Sequence, residues 1–293
     1  MNPNLYSSLN ELLSIETDIL RDLLPKDKLG DEIYALILFI RFQNRAPSEK
    51  LLFNDVLYKF KFLGELNNPL RIFVTDKEYL KLYVKAIIGD EFNVPTLKII
   101  KSENDFLTYE FPESCVIKPT HASNHIFIRR NSQAIEYNKI LDWLKLNYYL
   151  LGREVTYKNL IPKIIVEPII FNEDNIKDYK FFCYKGQAKI IQVDFDRYIN
   201  HTRKYFDTQW NELSFRLEYP RNEQQLSQPK NLPEMLNIAN QLSHEFNLVR
   251  IDLYTNENQI YVGEITSCHG NASERFGSLE EEIYFSNILF GDN

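Results

Sequence analysis

Arg250, Asp252 and Glu264 stand where an apolar pattern should carry core residues. They belong to Val249-Arg250-Ile251-Asp252-Leu253-Tyr254 and Tyr261-Val262-Gly263-Glu264-Ile265-Thr266, which read as two strands joined by the polar turn Thr255-Asn256-Glu257-Asn258. A charge set into such a strand is costly unless it is paired or used. With an odd number of residues in the turn, Arg250 faces Glu264 directly and Asp252 lies one diagonal step away, so all three share a sheet face. Two carboxylates and an arginine on one face could grip a divalent metal and a transferring phosphoryl group. The competing reading is an Arg–carboxylate pair closing an ordinary hairpin, and these residues alone do not choose between the two.

Other positions could hold anions. Lys118 ends the apolar run Val116-Ile117-Lys118-Pro119 and leads into Thr120-His121-Ala122-Ser123-Asn124-His125, a small polar loop able to fold over phosphate oxygens. A lysine snorkelling from a strand end is the simpler alternative. Arg197, His201, Arg203 and Lys204 form a local basic cluster that could hold a phosphate, or a solvated loop. The chain has only 9 glycines, with no Walker-type loop and no dinucleotide fingerprint, so any grip on phosphate must come from side chains. His121 and His125 have no third ligand close by and read as hydrogen bonders rather than zinc ligands.

The elements that must position these residues follow from periodicity. From Leu5 to about Arg45 apolar residues recur at helical spacing, which predicts a small helical cap. Leu70 to Val74 reads as a short strand, and Thr75 or Asp76 can cap an amphipathic helix from Lys77 to about Ile88. Val116 to Pro119 and Lys163 to Pro168 read as strands separated by a helical segment from Ala134 to about Leu151. Tyr179 to Tyr184 and Gln187 to Phe195 form a hairpin about Lys185-Gly186, and Leu232 to Phe246 is an amphipathic helix ahead of the charged hairpin. Without a strict βαβ rhythm, the expectation is α+β lobes.

Composition bounds the class. A chain of 293 residues with 44% hydrophobic content can bury a large core, as one domain or two to three lobes. Its net charge of -7 argues against general binding to a nucleic-acid backbone. Cys115, Cys183 and Cys268 are widely spaced and lack a metal-ligand pattern, which fits reduced thiols in a cytoplasmic protein. Met1 to Ser8 lack the start of an export signal, and the apolar stretch Ile33 to Ile40 is too short to span a bilayer, so no membrane insertion is expected.

Taken in order, Thr75-Asp76-Lys77, Val116-Ile117-Lys118-Pro119, Ile165-Val166-Glu167-Pro168, Asp178-Tyr179-Lys180-Phe181-Phe182, Arg250-Ile251-Asp252 and Gly263-Glu264-Ile265-Thr266 resemble an ATP-grasp enzyme. Asp194-Phe195-Asp196-Arg197, His201-Thr202-Arg203 and Tyr205-Phe206-Asp207 make the chain most similar to the TupA-like branch, over roughly residues 45–290. The resemblance implies an α+β ATP-grasp fold, with two lobes sandwiching ATP and the helical region in front. The divisions expected are 1–70 (helical), 71–113 (a strand-helix segment before the grasp), 114–170 (small lobe) and 171–293 (C-terminal lobe with the metal site).

For the site, the resemblance implies that Lys77 and Lys118 neutralise the α- and β-phosphates, with Ser123 in the loop over them. Glu167, Pro168, Ile169 and Ile170 correspond to the hinge that holds adenine, and Asp178 to the acid that receives the ribose hydroxyls. Asp252 and Glu264 fall on Mg2+ ligands, joined by Thr266 where many relatives have asparagine, and Arg250 falls on the arginine that stabilises the transferred phosphoryl group. Arg197 and Arg203, with His201, could hold the γ-phosphate or an acidic substrate.

The implied reaction joins a carboxylate to an amine through an acyl phosphate, with ATP and Mg2+. The implied partners are an amino acid or glutamyl chain and a uronic-acid-containing saccharide of a bacterial capsule, O-antigen or teichuronic-type polymer. The first helices, residues 1–45, either bind an assembly-complex partner or, as the simpler reading has it, cover apolar surface of the core. A kinase-like sugar phosphotransferase and a noncatalytic nucleotide-binding subunit stand as alternatives.

Overall fold

A computed structural model describes residues 13–171, 177–195 and 200–291. Helices α1 (Thr17–Leu23) and α2 (Lys28–Gln43) pack around Leu20, Tyr34, Ile37 and Leu38. Asp27 caps α2 by accepting from the Gly30 N–H. Helix α3 (Phe53–Phe62) has Leu52 at its N-cap and so no cap of its own. Its first N–H groups, on Phe53 and Asn54, donate instead to Ser286 Oγ at 2.9 Å and Glu282 Oε1 at 3.0 Å of the C-terminal helix. Front and back of the chain are thereby tied together.

Leu70 to Val74 is not a strand. Asn68 caps and Pro69 opens helix α4 (Pro69–Thr75), a start signal that outweighs the β-branched run within it. Asp76 then caps α5 (Lys77–Ile87) by accepting from the Glu78 N–H at 2.9 Å. Strand β1 (Lys98–Ile100) and helix α6 (Glu103–Thr108) lead to β2 (Cys115–Pro119) and to β3 (Phe127–Arg129), a strand the periodicity did not reveal. The single helix expected over 134–151 is broken into α7 (Tyr137–Asp142), a 3-10 turn at Trp143–Lys145 and α8 (Tyr149–Gly152). Two tertiary anchors require the break. Trp143 turns into the core of the small sheet, while the Tyr149 hydroxyl reaches Asp31 of α2. Strand β4 (Ile164–Glu167) completes an antiparallel four-stranded sheet, order β1-β4-β2-β3.

The second sheet is antiparallel and six-stranded, order β10-β9-β5-β6-β7-β8. Its strands are β5 (Asp178–Tyr184), β6 (Gln187–Phe195), β7 (Thr202–Phe206), β8 (Glu212–Leu213), β9 (Leu248–Thr255) and β10 (Ile260–Thr266). Alternation sorts the side chains. Phe181, Ile191, Val193, Ile251 and Leu253 form one face and pack against helix α9 (Leu232–Ser243) through Met235, Ile238 and Leu242. The other face is split. Phe182, Ile190, Tyr205 and Leu248 bury against α3 and the C-terminal helix α10 (Leu279–Phe290), while the rest of that face is polar and carries most of the sheet's buried charges. No helix among the described residues is long and apolar enough to cross a membrane.

Candidate active site

The charged half of that face is built by period-two alternation. Lys180 pairs across the ladder with Asp252 and Gln192, and Asp178 with Asp194, so Asp178, Lys180, Asp194 and Asp252 crowd one patch. The Lys180 ammonium contacts Asp178 and lies 3.5 Å from both Asp194 Oδ2 and Asp252 Oδ2. With only 2% of Lys180 exposed, these carboxylates and the ammonium stand together away from water.

The hairpin register differs from expectation. Strand β9 runs through Thr255 and the pairing carries a bulge between Val262 and Glu264, so Glu264 opposes Asp252 and Arg250 opposes Thr266. Arg250 is a two-pronged partner of Asp252, with Nε and Nη2 each 2.7 Å from a carboxylate oxygen, and Nη2 also donates to Thr266 Oγ1 at 3.2 Å. Burial opposes the Arg250 charge, but Asp252 outweighs it and holds the guanidinium protonated. The Nη1 group donates to His269 Nδ1, and His269 Nε2–H donates to Glu274 Oε2 at 2.6 Å. Glu274 in turn takes both prongs of Arg203, whose Nε donates to Asp194 Oδ1 at 3.0 Å. Arg203 thus ends a buried relay rather than standing in a basic cluster. Lys204 points to the other face, where it pairs with Glu212, and Arg197 lies outside the described residues. His201 Nε2 is 3.2 Å from Asp194 Oδ1.

The opposite wall comes from the small sheet and α5. Lys77 opens α5 at the positive end of its dipole and donates to the Ala122 carbonyl at 2.7 Å, while its own N–H donates to Thr120 O at 3.0 Å. Burial pushes the Lys77 ammonium below its ordinary value, with Glu264 opposing that shift. Lys118 pairs with Glu167 Oε2 at 2.7 Å, and Lys81, one helical turn from Lys77, pairs with Oε1 at 2.6 Å. Burial works against Glu167 ionising, yet Lys118 and Lys81 hold its carboxyl below the usual range. In the loop, the Ser123 carbonyl meets His125 Nδ1 at 2.6 Å.

Between the walls lies a cavity of about 660 Å³. Lys77, Lys118 and Ser123 reach it from one side, and Asp178, Arg203, Arg250, Asp252, Glu264 and Thr266 from the other. Glu167, Pro168, Ile169 and Ile170 continue from β4 outside its lining. Lys180, Asp194, His269, Glu274 and Glu154 line it without having been singled out as site residues from sequence. Cys268 lines it too, but burial pushes its thiol up to about 12, which leaves no nucleophilic thiolate near neutrality.

Glu264 makes no ion pair or side-chain hydrogen bond among the described residues, although it faces Asp252 in the same cavity. An acidic pair with one uncompensated carboxylate and a neighbouring hydroxyl fits the oxygen-donor chemistry of magnesium. No group of three or more His, Cys, Asp or Glu gathers at metal-binding geometry among the described residues.

Two antiparallel sheets flanking a cavity, with Lys118 of the small sheet and Lys77 of α5 on one side and a carboxylate–arginine cluster of the large sheet on the other, make an ATP-grasp fold. The chain belongs to the TupA-like ATP-grasp family, whose model matches residues 59–285. No curated protein matches it. Similar solved structures include a D-alanine–D-alanine ligase from Helicobacter pylori, at 15% identity and TM-score 0.40 over 69% of this chain and 54% of that one. Another is a D-alanine–D-alanine ligase from Bacillus anthracis complexed with ATP, at 12% identity and TM-score 0.38 over 75% of this chain and 60% of that one. An L-amino acid ligase from Bacillus licheniformis gives 14% identity and TM-score 0.47 over 90% of this chain and 62% of that one. The chain thus spans between 54% and 62% of the length of these three proteins.

Proposed function

We propose that the protein is an ATP-dependent carboxylate–amine ligase. A substrate carboxylate attacks the γ-phosphorus of ATP, ADP departs, and an amine captures the acyl phosphate to give an amide and phosphate. The observation that carries this reading is the placement of Arg250, Asp252, Glu264 and Thr266 opposite Lys77 and Lys118 across one cavity. Such chemistry asks mainly for positioning and for positive charge where the phosphoryl group passes.

In this reading residues 114–170 and 171–293 act as the two lobes. Lys77 and Lys118 neutralise the α- and β-phosphates under the Ser123 loop. Glu167 steers Lys118, and with Pro168, Ile169 and Ile170 it borders the adenine. Asp178 serves the ribose side, and Arg250 stabilises the moving phosphoryl group. Arg203 orients Asp194 and Glu274, and together with His201 and Arg197, six residues earlier in the sequence, it serves the γ-phosphate or an acidic substrate. Asp252 and Glu264, with the Thr266 hydroxyl, would hold magnesium, which supplies charge neutralisation for the phosphates when bound. The family resemblance supports an amino acid or glutamyl chain as the amine component and a uronic acid of a bacterial surface polysaccharide as the other, in a cytoplasmic reaction.

The test is ADP release with Mg-ATP and hydroxylamine across uronic acids, nucleotide-linked uronic acids and amino acids. A carboxylate-dependent hydroxamate that Glu264→Gln abolishes is the expected result. ADP release with a phosphorylated sugar and no hydroxamate would replace the ligase reading with a phosphotransferase.

A further inference from the structure

We propose that Glu154, walled by Tyr148 and Tyr157, is the subsite that binds the incoming amine as its ammonium and takes its proton. This rests on the ligase reading above and adds to it the place and charge state of the nucleophile.

Glu154 sits in a turn that neighbouring elements fix from several sides. The preceding Arg153 adopts a left-handed conformation (φ 51°) and is buried among the first helices, where it donates to the carbonyls of Arg21, Leu24 and Pro25. The Gly152 carbonyl accepts from Asn271 Nδ2 at 2.8 Å, and Asn271 is itself held by Lys61 of α3 through Oδ1 at 2.6 Å and the main-chain carbonyl at 3.1 Å. With Arg153 drawn outward, Glu154 is left to face the cavity. The N-terminal helices therefore anchor, from behind, the turn that presents Glu154 to the site.

Among the described residues the Glu154 side chain receives only the Thr156 hydroxyl, at 3.4 Å, and it forms no ion pair. Lys61 acts on it through space but spends its hydrogen bonds on Asn271. The groups facing Glu154 are Lys61 from α3, Arg250 from β9, Glu264 from β10, Cys268 and the two tyrosines. Burial, with Glu264 adding to it, pushes its carboxyl up to about 7 despite the two cations. Tyr148 and Tyr157 meet edge to face at 4.6 Å beside it, offering aromatic surface to a cation. Glu154 and Glu264 are the two lining carboxylates that lack an ion pair among the described residues. The ligase reading assigns one to magnesium and leaves the other for a positively charged substrate group.

The step balances. The ammonium gives one proton to Glu154, and the freed nitrogen lone pair attacks the acyl-phosphate carbonyl carbon. As the C–N bond forms, the bond from that carbon to the phosphate oxygen breaks. The second N–H proton leaves with the phosphate.

The test uses the full chain with Mg-ADP and saturation-transfer NMR, probing L-amino acids and simple primary amines against their N-acetyl forms. Losing a charge-assisted hydrogen bond should weaken binding about tenfold or more in Glu154→Gln, with partial recovery in Glu154→Asp, and acetylated probes should bind the parent no better than the variant. In turnover, hydroxylamine is mostly uncharged at neutral pH and needs neither a cation site nor a base. Glu154→Gln should therefore lower the ratio of amide to hydroxamate by about 100-fold. Parent protein that binds no amine, binds acetylated probes equally well, or shares its product ratio with Glu154→Gln overturns the inference and leaves the ligase reading standing. A parent that forms no hydroxamate with any carboxylate overturns that reading, and this inference with it.

Discussion

Glu264 lies directly across the β9–β10 ladder from Asp252, and Gly263 is the extra residue that puts it there. The pairing that sets Ile260 against Thr255, continued without a bulge, would place Gly263 opposite Asp252 and Glu264 opposite Ile251 on the core face. One inserted residue therefore brings the second carboxylate to the site. Only glycine fits, since a Cβ there would stand 2.6 Å from the Tyr254 ring.

Gly263→Ala should force that ring aside or undo the bulge. The expected cost is about 1–3 kcal/mol of stability, read by urea unfolding. ATP turnover should fall further than the unfolded fraction explains, because Glu264 moves with the bulge. Unchanged turnover would show that the position of Glu264 does not matter.

Lys180 balances three carboxylates away from water, so Lys180→Met leaves them facing one another. The predicted loss is about 3–5 kcal/mol. The deficit should shrink on acidification as the carboxylates take up protons. Thermal melting across pH checks both statements, and a near-neutral substitution would contradict them.

The relay from Arg250 through His269 to Glu274 predicts how stability changes with pH. Burial holds His269 below its ordinary value, so below about pH 6.5 the unfolded chain binds a proton that the folded chain does not, and stability falls. Glu274 has the same sign. Burial opposes its ionisation, but His269 and Arg203 hold its folded carboxyl below the usual range, so its contribution is present above that range and lost at lower pH. Replacing His269 by Gln should flatten the upper part of the acid slope in denaturant titrations, whereas parallel slopes for parent and variant would exclude this account.

Arg250→Lys keeps the charge but loses the two-pronged grip on Asp252 and the bonds to Thr266 and His269. Turnover is expected to drop by about 10²–10³, with ATP binding measured by calorimetry changed far less.

The hairpin, the Asp76 cap and the strands carrying Lys118 and Glu167 were legible because each follows from a local rule: period-two alternation or an Asx residue ahead of an amphipathic helix. The face shared by Arg250, Asp252 and Glu264 was legible too, but the cross-strand partner of Glu264 was not, because a bulge that shifts the register leaves no trace in the sequence pattern. In Asn68-Pro69-Leu70 a helix start was hidden under a β-branched run. Lys180 carries no local sign of its role, since its neighbours Asp194 and Asp252 arrive from other strands. Gly152-Arg153-Glu154 carries no local signal of a site, and its place is set by Arg153 anchoring in the N-terminal helices. His269 and Glu274 likewise gain meaning only once β9 and β7 bring Arg250 and Arg203 to them.

The most direct measurement of the central claim is the fate of carboxylate oxygen. Across the panel of uronic acids and amino acids, each carboxylate is labelled with heavy oxygen, and the phosphate released with Mg-ATP and amine is analysed by mass. A ligase that passes through an acyl phosphate transfers one labelled oxygen to each phosphate it releases. Unlabelled phosphate accompanying carboxylate-dependent ADP release would contradict it.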